Sequence, residues 1–202
     1  LLLTRKYRPM TVKNSLVQQY DLDVLLPTKD RNDALPLVLL QLARQETRPF
    51  RLLIRDESLN AAAIDNPAVK SALYLLEDRG HKVIYWRDQR HGDFRFIRRE
   101  MFKKSKAPYI LFFDDDILLN DSRILEILRG DAKRYESAVV TCEYLSNSAL
   151  LLKPTASLYN FGPGCSLYRR NELQDANVFD SVELNRISDR YGENIIEIKM
   201  SC

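Results

Sequence analysis

The chain has 202 residues, 45% of them hydrophobic and 29% charged. This is the balance of a soluble globular domain and excludes a disordered, collagen-like or disulfide-stapled chain. A chain of this length buries roughly 70% of its unfolded surface, enough for one domain with its own core. The net charge of +3 is too mild to argue for a nucleic-acid partner, and none is expected.

Taken in order, residues 23–27 (DVLLP) form a short apolar run closed by proline, a buried-strand signal. Asn32 and Asp33 offer a cap for a helix whose inner face is Leu35, Val38, Leu39 and Leu42, with Pro36 tolerable only in its first turn. Residues 52–55 (LLIR) read as a second strand. Asn66 followed by Pro67 predicts a helix start, with Val69, Ala72, Leu73 and Leu76 inward and Gly80 as the stop. Residues 83–86 (VIYW) predict a third strand, and a basic helix covers 93–106. The apolar run 109–113 (YILFF) leads directly into Asp114, Asp115 and Asp116. Ser122 or Asp121 caps a further helix with Ile124, Leu125 and Leu128 inward. Residues 138–144 and 165–168 read as strands and 182–191 as a short helix. Such alternation gives an α/β fold with a mostly parallel sheet flanked by helices.

Charge is unevenly spread. Residues 1–13 carry Arg5, Lys6, Arg8 and Lys13 and no acid, so 1–21 is expected to be a basic extension. The opening LLLTRKYRPM has neither an initiator Met nor a signal-peptide layout and reads as the start of a fragment. Residues 87–106 carry eight basic against three acidic side chains. A run of this kind is a solvated helix face, or a surface that neutralises a diphosphate or an anionic membrane. Cys142, Cys165 and Cys202 are too few and too scattered for a disulfide framework or a zinc site, which points to a reducing, cytoplasmic compartment. No apolar run approaches the ~18–20 residues of a transmembrane helix; the basic stretches allow peripheral contact at the inner face of a membrane. His81 reads as a surface turn residue and His91 as structural. Six glycines and no G-x-G-x-x-G argue against a Rossmann dinucleotide enzyme.

The informative feature is the acidic triplet at the end of a buried strand. Three adjacent carboxylates repel and lose hydration, so a fold keeps them there if a cation sits between them. A hard ion, Mn²⁺ or Mg²⁺, takes one or two carboxylates plus substrate phosphates. Ligands of open α/β sheets also bind outside the carboxyl ends of strands. If the backbone stays extended, Asp114 and Asp116 share a side and Asp115 faces the other. The plainer alternative is an Asp-rich turn capping the next helix.

Several segments, in order, resemble the family 2 glycosyltransferases of the GT-A fold. Residues 23–31 (DVLLPTKDR) resemble the family's opening strand and its I-P-T-x-N-R turn, and 41–45 (QLARQ) its S-L-x-x-Q helix. Residues 51–58 (RLLIRDES) resemble the strand ending in V-D-D-G-S, with Glu57 in place of an acid and the glycine lost. Arg98 and Arg99 fall where the family has R-N, 16 residues before Asp114. The triplet resembles the D-x-D motif, and residues 164–170 with 178–180 the later R-R and F-D stretch.

The resemblance implies a GT-A-like domain over 22–202, with a nucleotide-sugar-binding half at 22–120 and a shortened acceptor half at 121–202. It implies an inverting transfer of sugar from a UDP- or GDP-type donor to a saccharide, lipid-linked or protein acceptor. Pro27, Thr28, Arg31, Asp56, Ser58 and Arg98 would line the donor site. Asp115 or Asp114 would hold the ribose, and Asp116 with Asp114 the metal. The family's general base sits in an E-D pair. Here Glu183 has no adjacent Asp and Asp189 follows, so Glu183 and Asp189 are the candidates. No His follows the triplet to act as a ligand. The alternatives are a binding module without a working base and a nucleotidyltransferase. The latter wants a Gly-rich loop after the first strand, which residues 27–30 (PTKD) lack.

Overall fold

The computed structural model describes residues 20–90, 94–137, 139–142, 164–175 and 195–198. The strands are Leu22–Thr28 (β1), Arg51–Asp56 (β2), Lys82–Arg87 (β3), Tyr109–Phe113 (β4), Val139–Cys142 (β5), Cys165–Arg169 (β6) and Ile195–Ile198 (β7). The helices are Leu35–Ala43 (α1), Pro67–Asp78 (α2), Phe94–Lys104 (α3), Ile124–Arg134 (α4) and Arg170–Asp175 (α5).

The strand order is β3-β2-β1-β4-β6-β5-β7. Strands β3, β2, β1 and β4 run parallel, β6 is antiparallel to both its neighbours, and β7 is parallel to β5. Successive strands add to one side of β1 as far as β3, and β4 returns to its other side. The carboxyl ends of β1 and β4 therefore flank a switch point of the topology, where open α/β sheets leave a crevice.

Period-two alternation divides the core between the two faces. Leu22, Val24 and Leu26 of β1, Leu52 and Ile54 of β2, and Leu111 and Phe113 of β4 pack with the apolar stripes of α1, α2 and α4. Leu25, Leu53, Ile110 and Phe112 face the other way, onto Met101 of α3 and Leu173 of α5. The sheet is thus covered on both sides, which is why its central strands read as unbroken apolar runs. No helix among the described residues is long and apolar enough to cross a membrane.

Several local expectations change. Asn66 caps α2 as expected, its Oδ1 accepting from the Ala68 N–H at 2.8 Å. Ala34, not Asn32 or Asp33, is the N-cap of α1. Residues 32–34 form a turn whose Leu35 N–H to Arg31 O bond (2.9 Å) already satisfies one free donor. The N-cap of α4 is Arg123, with Asp121 accepting its N–H at 2.7 Å one step earlier and Ser122 donating to Glu46. His81 is buried, at 6% exposure, and not a surface turn residue. Gly80 at φ +86° lets the chain leave α2 through paired bonds from Gly80 N–H to Glu77 O and from His81 N–H to Leu76 O. This exit swings His81 under the sheet, where its Nδ1 accepts from the Phe50 N–H (3.3 Å) and its ring lies 3.9 Å from that of Phe50. His91, Glu183, Asp189, the basic segment 1–13 and the 182–191 helix lie outside the described residues.

Candidate functional site

The ends of β1 and β2 are tied together before any ligand arrives. The Glu57 N–H donates to Thr28 O (2.8 Å), the Asp30 N–H to Ser58 Oγ (3.0 Å) and the Leu59 N–H to Asp30 Oδ1 (3.1 Å). Asp30 meets this geometry in the left-handed region at φ +52°, which Asp tolerates better than most residues. From β3, the Arg87 guanidinium donates to the carbonyls of Ser58, Leu59 and Asn60. The loop after β2 is therefore a fixed wall.

Asp56 organises that wall. It is fully buried, and its carboxylate accepts from the Ser58 N–H (2.8 Å), the Ala63 N–H (2.7 Å) and the Tyr85 hydroxyl (2.5 Å). Burial pushes its pKa up, but the hydrogen bonds from Ser58, Tyr85 and Ala63 outweigh it, and the net shift is downward. Burial, and then the bond to Asp56, raise the Tyr85 phenol.

The triplet stands opposite. Strand β4 ends at Phe113 and a turn begins at Asp115, so the chain is not extended through the acids and the expected alternation of sides does not apply. The Asp114 N–H donates to Gly164 O (2.8 Å), and its carboxylate lies 3.3 Å from the Arg98 guanidinium. Arg98 also rests over the Phe112 ring, 4.7 Å from its centroid. Asp115 accepts from the Thr28 hydroxyl at 2.7 Å, a bond that spans the switch point from β1 to β4. Arg31 reaches between the last two acids, 3.9 Å from Asp115 and 3.7 Å from Asp116. The Asp115 side chain is 14% exposed and that of Asp116 59%. Desolvation raises the Asp114 carboxyl against the pull of Arg98, and desolvation raises Asp115 against the Thr28 bond. Neighbouring carboxylates push both further in the same direction.

An open cleft of about 380 Å³ lies between these two walls, lined by Pro27, Thr28, Lys29, Arg31, Glu57, Ile97 and the three acids. Among the sequence-predicted residues, Pro27, Thr28, Arg31, Asp114, Asp115 and Asp116 come together there. Asp56 and Ser58 do not line it: Asp56 accepts from N–H groups of the loop after β2, and the Ser58 hydroxyl accepts from the Asp30 N–H of the turn after β1. Arg98 does not line it either. It points into the helix–sheet seam as the partner of Asp114, while Ile97, one position earlier on α3, edges the cleft. Sequence reasoning missed Lys29, Glu57 and Ile97. Lys29 and Glu57 each follow the last residue of a parallel strand, and that position was the available signal. Glu57 is paired with the buried Arg55 at 3.0 Å.

The residues suit a hard divalent cation. The donor set is all oxygen: Asp114, Asp115 and Asp116 line the cleft together, with Lys29 and Arg31 beside them to meet an anionic ligand. Among the described residues no group of three or more His, Cys, Asp or Glu forms a ready-made cage. The protein would thus supply one or two carboxylates and leave the remaining positions to phosphate and water, as Mg²⁺-type sites do.

No protein-family profile matches the sequence, and no curated protein matches it. Solved structures do resemble the fold. S. aureus TarS is 19% identical with a TM-score of 0.63, over 90% of this chain and 36% of that one. TarS 1–349 has been crystallised with UDP and with UDP-GlcNAc. The mannosyltransferase PcManGT from Pyrobaculum calidifontis, in complex with GDP-Man and Mn²⁺, is 12% identical with a TM-score of 0.59, over 79% of this chain and 47% of that one. A CMP:2-keto-3-deoxy-manno-octonic acid synthetase complexed with CTP is 14% identical with a TM-score of 0.55, over 90% of both chains. The chain spans well under two thirds of the first two proteins. At these identities the likeness establishes the fold, which is α/β and GT-A-like.

Proposed function

We propose that this chain is the donor-binding domain of a metal-dependent glycosyltransferase that takes a UDP- or GDP-linked sugar. The observation that carries the reading is the Thr28–Asp115 hydrogen bond across the β1–β4 switch point, with Asp116 left open beside it at the cleft mouth. Thr28 orients Asp115 so that its second oxygen accepts from a ribose hydroxyl. Asp116 and Asp114 would hold the divalent metal. Mn²⁺ or Mg²⁺ supplies, when bound, Lewis-acid neutralisation of the leaving diphosphate. Arg31 exchanges its long carboxylate contacts for shorter bonds to phosphate oxygens. The neighbours crystallised with UDP-GlcNAc and with GDP-Man and Mn²⁺ support this donor class.

The transfer is inverting and family 2-like in this reading. The acceptor is a saccharide, a lipid-linked sugar or a protein, and Glu183 or Asp189 is the base that takes its proton. The basic α3 face suits peripheral contact with an anionic membrane.

A nucleotidyltransferase is the second reading, favoured by the likeness to the CTP-bound synthetase over 90% of both chains. The glycine-free turn after β1 speaks against it. Calorimetry with UDP or GDP, with and without Mn²⁺, tests the binding. Slow UDP release from a UDP-sugar supports the transferase, and pyrophosphate release from CTP with an acidic sugar supports the rival. Metal-dependent binding with neither product points to a non-catalytic module.

A further inference from the structure

The sequence separates Cys142 and Cys165 by 23 positions, but β5 and β6 make them cross-strand partners. The antiparallel register pairs Val139 with Tyr168, Val140 with Leu167 and Thr141 with Ser166. One step further sets Cys142 opposite Cys165, with the sulfurs 3.2 Å apart and both thiols free. Opposed residues of an antiparallel pair have Cα atoms ~4.5–5.5 Å apart, inside the span a disulfide bridges. Closing the pair to a bond needs the sulfurs to approach by about 1 Å, a side-chain adjustment that leaves the ladder intact. The two thiols are not equivalent. Cys165 is buried in the core at 1% exposure, whereas Cys142 is half-buried at the end of its strand.

We infer that Cys142 and Cys165 form a dithiol that oxidises reversibly to an intramolecular disulfide by exchange with a low-molecular-weight disulfide such as oxidised glutathione. Cys142 is the attacking sulfur, since it is the accessible one. A hydrogen bond from Cys165 holds its thiol below the ordinary value, which favours the thiolate. The Cys142 thiolate attacks one sulfur of the oxidant, forming a mixed disulfide and releasing one glutathione thiolate. Cys165 then loses its proton and attacks the Cys142 sulfur, forming the Cys142–Cys165 bond and expelling the second glutathione. Two electrons and two protons leave the protein, and one disulfide becomes two thiols. The bond would tie β5 to the strand that pairs Cys165 with Phe113 and follows Gly164, the acceptor for the Asp114 N–H. The inference is independent of what the cleft binds.

The test is equilibration of the full chain in glutathione buffers from fully reduced to fully oxidised, then alkylation, digestion and mass spectrometry. The expected result is one crosslinked peptide containing Cys142 and Cys165, reversed by reduced glutathione, with Cys202 outside it. Closing this loop should also raise the thermal midpoint by about 5 °C. Cys165→Ser should accumulate a glutathione adduct on Cys142, and Cys142→Ser should leave Cys165 unmodified. The inference is overturned if both thiols of the wild-type chain stay alkylatable in saturating oxidised glutathione, or if the crosslink that forms contains Cys202.

Discussion

The two ends of the parallel strands treat carboxylates in opposite ways. At the amino end, Asp23 is fully buried, yet its two oxygens receive the Arg51 guanidinium (2.7 Å), the Lys106 N–H (2.6 Å) and the Ala107 N–H (3.0 Å). Nearby, Arg129 at 2% exposure is held by Thr47, the Arg48 carbonyl and Asp21. At the carboxyl end three acids stand side by side, with Arg98 and Arg31 close to them, the Thr28 hydroxyl and Lys29 N–H bonded to Asp115, and Lys29 in the same cleft. A buried charge with dedicated partners, as at Asp23, is costly to strand when a partner is removed. Bunched carboxylates repel one another and lose hydration, and both effects raise Asp114 and Asp115. The contrast separates acids held in place by dedicated partners from acids clustered at an open cleft within one sheet.

Substitutions can break this contrast. The largest effect expected is for Asp23→Ala, which strands Arg51 and two backbone donors. It should cost about 3–5 kcal/mol of unfolding free energy in urea titrations, with nucleotide affinity unchanged wherever the protein remains folded. Next comes His81 at the same end. Burial, then Arg129 and Arg79, lower its pKa to about 4 from 6.5. The unfolded chain therefore binds the extra proton first, so stability is full above pH 6.5 and is lost as pH falls toward 4. The loss should reach up to about 3 kcal/mol, and His81→Leu should flatten that window in pH-dependent melts.

At the other end the signs reverse. Asp116→Ala should weaken Mn²⁺-dependent UDP or GDP binding at least tenfold, about 1.4 kcal/mol, while changing stability by no more than about 0.5 kcal/mol. Unchanged affinity in calorimetry would remove the metal role assigned to Asp116. The raised carboxyls of Asp114 and Asp115 favour the fold when protonated. Their contribution is present at acid pH and lost as pH rises through their folded values. Asp115→Asn should accordingly gain on the wild type as pH increases, in melts without metal, and show no gain at the acid end. The smallest effect is for Thr28→Val, about 1 kcal/mol of stability from one lost hydrogen bond, accompanied by weaker nucleotide binding. Unaltered binding would show that the bond across the switch point is only structural.

Much of this arrangement was legible before any coordinates. The runs 23–27, 52–55 and 109–113 are apolar without alternation because both faces of their strands are covered, and that same pattern marks central parallel strands. The triplet was conspicuous because three adjacent carboxylates at the end of a buried strand repel and lose hydration. Asp56 and Arg98 show what residue type alone leaves open, namely which partners each side chain meets. Their residue types suit a binding site, but Asp56 is consumed by three hydrogen bonds behind the wall and Arg98 by Asp114 in the helix–sheet seam. Glu57, next to Asp56, and Lys29, next to Thr28, were not named as site residues because a single charged residue at a strand end has no pattern of its own.

Local chemistry is written in short stretches of chain. Periodicity, the Asn66–Pro67 helix start, the turn residues and the clustering of acids all act over a few neighbours, so the sequence alone determined the element types, the α/β class and the strand end that carries charge. Which acid is held by Thr28, which guanidinium faces solvent, and that Cys142 meets Cys165 depend on strand order and register. Those contacts join residues dozens of positions apart, and only the folded sheet, through burial on both faces, decides them.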